Sequence, residues 1–251
     1  MRVSYEWLQE FINLDGVPLD DIARQLTESG TEVERVFEFA GGLEEVVVAE
    51  VVELGRLEGS DHLWMTKVRL PGEEPVEVVC GAPNLSLGAV VAWARPGSEL
   101  PGGLKLGQRR IRGALSNGMI CAPDELGLGH DHEGVLLLPA GEAELGAPLS
   151  RLFPRDTILE LEILSNRADC LSHWGIAREL SALLDYPLRA PALDPPQRQG
   201  PAAQETVGVR IEASDDCSLY LAECIDELGS KPAPLWLQRR LMAVGSRSIS
   251  A

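Results

Sequence analysis

Residues Ile158 to Leu180 read ILELEILSNRADCLSHWGIAREL, a strand pattern giving way to a helix pattern across one polar turn. Leu159, Leu161 and Ile163 alternate with Glu160 and Glu162, the two-residue period of a strand with one buried face. Ser172 stands where a helix N-cap is expected, and Ile176, Ala177, Leu180, Leu183 and Leu184 then recur at helical spacing until Pro187 ends the pattern. One strand and one helix cannot bury both apolar faces alone.

The N-terminus is in the same condition. Met1 to Leu14 reads as a helix opened at Ser4, with Glu6 in its first turn and Trp7, Leu8, Phe11 and Ile12 as its apolar stripe. A second helix begins at Asp20 and Asp21, carries Ile22, Ala23 and Leu26 on one side, and meets Gly30 where a left-handed cap belongs. A strand follows over Thr31 to Phe39, with Val33, Phe37 and Phe39 on one face. These residues are too few to close a core, so Thr157 to Tyr186 is the predicted partner and the first domain is discontinuous, 1–39 with 151–190.

Between the halves, Val46 to Leu54, Leu63 to Leu70, Val76 to Cys80, Val90 to Trp93, Gly107 to Arg112 and Val135 to Leu138 read as short strands separated by Gly and Pro turns. That spacing predicts a small closed barrel over 40–150. Residues 191–206 are rich in proline and poor in large apolar side chains, as an inter-domain linker is. Beyond it, Val207 to Ile211 and Tyr220 to Ile225 read as strands, and Pro234 precedes a helix carrying Leu235, Leu237, Leu241 and Val244. Residues 207–251 are thus expected to open a third domain that is too short to close its own core.

Composition narrows the function classes. Formal charge is −17, so a sequence-independent nucleic-acid binder is disfavoured and any RNA contact must come from a local patch. No apolar run approaches the roughly 20 residues that cross a bilayer, which points to the cytoplasm and away from a membrane. Cys80, Cys121, Cys170, Cys217 and Cys224 are odd in number and free of CxxC pairs, which fits reduced structural thiols. Neither GxxxxGK[ST] nor GxGxxG occurs, and no nucleophile, base and orienting acid can be assembled, so neither catalytic residues nor a metal site is expected here. His130 and His132 in GHDHEG read as a solvated turn because no further ligands accompany them.

One strip departs from the acidic background. Leu100 to Pro123 contains Lys105, Arg109, Arg110 and Arg112 and no acidic residue. If Gly107 to Arg112 is a strand, Arg110 and Arg112 share a face with Gln108 and could meet successive phosphates, with Asn84 and Ser116 offering hydrogen bonds nearby. Against this, residues 39–150 hold 8 basic and 16 acidic side chains, which weakens long-range steering. Gly113 and Gly118 read as turn glycines, and Met119 as a buried residue shaping the barrel mouth.

Several stretches resemble one family in order. CGAPN at Cys80 to Asn84, including Gly81, and RGALSNGMICAPDELGL at Arg112 to Leu128 are similar to the tRNA-binding barrel signature of bacterial phenylalanyl-tRNA synthetase β subunits, with Ser116, Gly118 and Met119 as its SxGM element. SDHLWMTKV at Ser60 to Val68 places His62 in that family's histidine position. VSYEWLQEFINL and SGTEVERV resemble its opening helix and turn, with Thr31 in place of the usual large apolar residue. Ile158 to Leu180 resembles its NRxDCLSxxGIAREL segment, in which Asn166, Arg167 and Asp169 read as scaffold residues of a turn. PLWLQRRLMAVGSRSIS at Pro234 to Ser250 is similar to the start of its editing (B3/B4) module, with Ser248 where a proline is expected.

The resemblance implies an α+β fold: an OB-type barrel inserted in a discontinuous α/β scaffold, then the start of an editing-type third domain. It also implies an N-terminal portion of a ligase that pairs with α subunits as α2β2 and charges tRNA(Phe) with phenylalanine using ATP and Mg2+. The active site would lie on α, so no cofactor is expected in this segment. Two rivals remain in the sequence: a free-standing tRNA-binding or chaperone-like barrel protein acting as a dimer, which usually lacks the flanking halves, and a purely structural module whose acidic surface meets a basic partner.

Overall fold

Leu159 and Leu161 lie in the middle of a three-stranded antiparallel sheet in the computed structural model, which describes residues 1–191, 202–225 and 232–249. The chain begins with β1 (Arg2–Ser4), α1 (Tyr5–Leu8), α2 (Leu19–Glu28) and β2 (Glu32–Phe39). The barrel strands follow as β3 (Val46–Arg56), β4 (Trp64–Arg69), β5 (Val76–Cys80), β6 (Val90–Ala94), β7 (Gln108–Ile111), β8 (Ala114–Asn117), β9 (Met119–Ile120) and β10 (Leu137–Leu138). Then come β11 (Asp156–Glu162), α3 (His173–Leu184), α4 (Ala203–Thr206) and α5 (Leu235–Ala243).

β11 is clasped between the two N-terminal strands, in the order β1-β11-β2, with Val3 opposite Leu159 and Phe37 opposite Ile158. Val3, Leu8, Ile12, Ile22 and Leu26 from before the barrel share a single core with Leu159, Leu161, Ile176, Ala177 and Leu180 from after it. Each face therefore supplies what the other cannot bury alone, at roughly 2 kcal/mol per enclosed aliphatic side chain.

The caps follow local chemistry. Ser172 accepts the Gly175 N–H at 3.0 Å and opens α3, as its position predicts. Gly30, at φ +94°, closes α2: its N–H donates to Thr27 O and the Thr31 N–H reaches back to Leu26 O. Gly175 is required for a different reason, since a Cβ there would lie 1.9 Å from Asp169 O.

The opening segment corrects one expectation. Ser4 does cap a helix, accepting the Trp7 N–H at 3.0 Å, but α1 is a single turn and the residues before it are a strand. Arg2 to Ser4 gain a full ladder against Ser4-facing Ile158 and its neighbours, and tertiary pairing overrides helix periodicity. The helix stops early because Phe11 and Ile12 are engaged by the chain after α3: Arg189 N–H donates to Phe11 O at 2.6 Å, and Ile12 bridges to Leu188.

The middle of the chain is a nearly closed antiparallel barrel, with strand order β10-β6-β3-β4-β5 and β9 paired to β6. β3 and β6 are buried on both faces, which explains their nearly unbroken apolar runs. Ala49, Val51, Val91 and Trp93 fill the barrel, whereas Val46, Val48, Ala92 and Ala94 point the other way, into a core with Phe39, Phe153 and Ile158. The barrel and the three-stranded sheet are therefore packed together through shared side chains.

In the last segment, Val207 to Ile211 and Tyr220 to Ile225 do not form the expected strands; they belong to no helix or sheet. Val209, Leu221 and Ile225 are exposed, so no partner edge among the described residues stabilises pairing. α5 does form, and it docks at the junction: Leu235 and Ala243 enter the core shared by barrel and sheet. Arg239 pairs with Glu6 at 3.0 Å, and Arg240 pairs with Glu10 and lies over the Trp7 ring. Most of the proposed linker falls outside the described residues.

Candidate nucleic-acid interface

The cationic strip becomes a hairpin. β7 and β8 pair from Gln108 opposite Asn117 to Ile111 opposite Ala114, which leaves Arg112 and Gly113 as a two-residue turn. Both have positive φ, 49° and 86°, the geometry whose twist matches a right-handed hairpin. This corrects the expectation that Arg112 continues the strand beside Arg110. Arg112 instead sits at the tip and donates to Gly59 O at 2.7 Å, tying the hairpin to the loop between β3 and β4.

Arg109, Arg110 and Arg112 are all exposed. Arg110 donates to Gly113 O at 3.0 Å, within the hairpin itself. Elsewhere most guanidiniums and amines are neutralised: Arg2 and Arg35 share Glu160, Lys67 pairs with Glu53, Arg69 with Glu50 and Arg95 with Glu73. Among the described residues, Arg109, Arg110, Arg112 and the adjacent Arg56 have no carboxylate partner; the hydrogen bonds of Arg56, Arg110 and Arg112 go to backbone carbonyls. Lys105 is not part of this group, because it pairs with Glu99 at 3.4 Å. The barrel is acidic overall, yet its unneutralised cations gather on one rim.

Arg56 and Trp64 were not singled out in the sequence. They close the β3–β4 ladder as a directly opposed pair, and the Arg56 guanidinium lies 3.6 Å from the centre of the Trp64 ring. A cation ending one strand and an aromatic opening the next was the available signal, and it needs the hairpin register to be legible.

The other signature residues hold the rim in place. The Ser116 hydroxyl accepts the Val79 N–H at 3.0 Å and donates to Gly118 O at 3.1 Å, and the residue is buried. It latches β8 to β5, so the hydroxyl expected to offer a hydrogen bond to RNA is engaged inside the barrel. Asn84 is also occupied: its amide donates to Val135 O at 2.9 Å and accepts the Val135 N–H at 3.0 Å, a two-point clamp that mimics a strand partner. Gly118, at φ +79°, lets the chain pass β6, where a Cβ would meet Ala94 O at 2.0 Å. Met119 is half-buried against the core, a Cβ on Gly81 would lie 3.4 Å from the Leu63 side chain, and His62 is exposed in the β3–β4 loop.

Asn166 is exposed, and Arg167 binds the turn below it. Its guanidinium reaches Asp169 at 3.1 Å, Glu179 at 2.7 Å and the Cys170 sulfur at 3.0 Å, and the hydrogen bond to Asp169 holds that arginine above its ordinary pKa. Asp169, Cys170 and Glu179 lie close enough to hold a cation, and the cation there is Arg167. A thiol beside two arginine-bound carboxylates does not suit Mg2+, which takes oxygen ligands. Cys80, Cys121 and Cys170 are buried; burial pushes the Cys121 thiol up to about 12, which leaves it unreactive. His132 pairs with Asp124 at 2.9 Å on the surface, and the hydrogen bond raises its pKa. No helix among the described residues is long and apolar enough to cross a membrane.

Residues 46–148, from the first residue of β3 to the end of the barrel, match the family model of a putative tRNA binding domain. The whole chain is also 41% identical over 251 residues to the phenylalanine–tRNA ligase β subunit of Anaeromyxobacter dehalogenans, covering 100% of the chain and 31% of that protein. The chain matches the N-terminal portion of this ligase subunit. The β subunits of Halalkalibacterium halodurans and Syntrophus aciditrophicus are 38% and 39% identical, again over the full chain, of which they are matched across 32% and 31% of their length. The chain thus spans about a third of the curated relatives it matches. A solved structure, the C-terminal domain of Plasmodium vivax p43, aligns with 40% of this chain and 56% of its own at 21% identity and a TM-score of 0.30.

Proposed function

We propose that this chain is the tRNA-docking and assembly portion of a cytoplasmic phenylalanine–tRNA ligase, and that Arg109, Arg110 and Arg112 receive phosphates of tRNA(Phe). The observation that carries this reading is the gathering of exposed arginines without carboxylate partners on one rim of an otherwise acidic barrel. A guanidinium left without an internal counter-charge is available to a phosphate, and each such contact releases counterions. Arg56 extends the rim; Lys105, Asn84 and Ser116 have lesser claims, since their side chains are already paired.

In the complete enzyme the chain would pair with α subunits as α2β2, and ATP and Mg2+ would serve charging at the active site on α. The segment's own part is positional. The scaffold of 1–39 and 151–190 is supported by the shared sheet and core, and the barrel of 40–150 by the family match. Residues 207–251 are read as the beginning of an editing-type domain after a linker at 191–206, with α5 anchoring that domain to the junction.

The test is replacement of Arg109, Arg110 and Arg112 by Glu, with tRNA affinity measured across a salt series on the chain and on the α2β2 enzyme. The slope of log affinity against log salt should fall by about 2–3, close to one per lost phosphate contact. An unchanged slope and affinity would remove the docking role while leaving the family match intact.

A further inference from the structure

We infer that Arg56 and Trp64 form a stacking platform for an unpaired nucleotide, so that the barrel rim takes a single-stranded stretch of RNA in preference to a duplex. This rests on the nucleic-acid reading of the arginine hairpin and extends it to the form of the ligand.

The geometry of the pair carries the inference. The Arg56 guanidinium carbon is 3.6 Å from the Trp64 ring centre, a separation that two planar groups reach only face to face. The other cation–ring contacts among the described residues run from 4.8 to 5.4 Å. Orientation is fixed at both ends: the Trp64 backbone pairs with Cys80 and Arg56, and the guanidinium donates to Asp61 O at 2.9 Å. Arg56 is exposed while Trp64 is half-buried beneath it, so the guanidinium presents its second face outward. A flat cation held on an indole, without a carboxylate to claim it, is a surface onto which a base can stack.

Position supplies the second half. Arg112 bonds to Gly59 O in the loop that joins Arg56 to Trp64, so the platform and the arginine hairpin share one rim. A base on the platform would leave its flanking phosphates beside Arg109, Arg110 and Arg112. An A-form duplex keeps its base faces stacked internally and can offer this rim only phosphates and sugar hydroxyls. Single-strand binders combine a cationic track with aromatic stacking in this way.

The experiment measures fluorescence anisotropy with the 251-residue chain and three labelled probes: an unstructured pyrimidine RNA, an abasic ribose–phosphate oligomer of the same length, and an RNA duplex with the same number of phosphates. The pyrimidine RNA should bind about tenfold more tightly than the abasic oligomer, the effect of one stacked base. Arg56→Gln and Trp64→Ala should each bring that ratio to about one, and Trp64→Phe should retain part of it. Arg56→Gln removes a surface side chain and leaves the barrel interior untouched, so it stands if Trp64→Ala fails to fold. Charge reversal at Arg109 and Arg110 should weaken all three probes alike. A ratio unaltered by both platform variants, or a duplex that binds as tightly as the single strand, overturns the stacking inference while the phosphate reading survives. Failure of every probe to bind overturns both.

Discussion

Replacing His173 with Gln should flatten the acid limb of this protein's stability profile. His173 opens α3 and is 8% exposed; its Nε2 accepts the Ser4 N–H at 2.9 Å, and its ring stacks on Trp7 at 3.9 Å between centroids. That hydrogen bond requires a lone pair on Nε2, so the folded state holds the ring neutral. Burial is the main cause and the nearby Arg240 charge the second, and together they lower its pKa from 6.5 to about 4. The unfolded chain therefore binds this proton more readily than the folded one. Stability from the neutral ring is complete above pH of about 6.5 and is lost as pH falls towards about 4. At about 1.4 kcal/mol per unit, the loss across that window is about 3 kcal/mol. Gln can accept the same N–H through its amide oxygen and does not titrate. Urea denaturation of both proteins at pH 7.5 and 4.5 supplies the comparison: the parent should lose about 2.5 kcal/mol more than the variant between these conditions. Equal losses would refute the role assigned to the neutral imidazole, because every other acid-sensitive group is common to both proteins.

Further expectations concern the joints of the fold. Gly118→Ala should destabilise the barrel by more than about 2 kcal/mol, since its Cβ would overlap Ala94 O at 2.0 Å, and a melting temperature within a degree or two of the parent would count against that contact. Asn84→Ala strips both hydrogen bonds from the Val135 backbone and should cost about 1–3 kcal/mol, with faster amide exchange at Val135 as its signature. Leu159→Ala opens the core shared by the segments on either side of the barrel and should cost about 2–5 kcal/mol in chemical denaturation; a value below about 1 would mean that the two segments are not held by common packing.

The barrel strands were legible because periodicity and turn residues agree there: Val76–Cys80 is a strand as read, and Gly30 and Ser172 cap helices where their chemistry puts them. The union of β1 and β2 with β11 could be inferred because neither end has a core of its own. What sequence could not supply was register and competition. Arg2 to Ser4 fit a helix until a strand 150-odd residues away claims their backbone, as Ser4 opposite Ile158 does. Arg112 reads as the next strand residue and is in fact the first residue of a turn. Ser116 and Asn84 carry the right donors for RNA, but their hydrogen bonds are committed internally, which only coordinates reveal. Conversely, Arg56 and Trp64 become a pair only once β3 and β4 are aligned.

The clasping of β11 between β1 and β2 imposes an order on synthesis. A ribosome adding about 5–20 residues per second finishes Ser4 on the order of 10–30 s before it reaches Ile158. During that interval Val3, Leu8 and Ile12 have emerged without the strand that covers them, while the barrel's own strands, paired mostly with near neighbours, are already complete. The barrel strands are thus free to pair first on the nascent chain, and β11 joins β1 and β2 only afterwards, bringing with it Ile158, which completes the core that Val46, Val48 and Ala94 share.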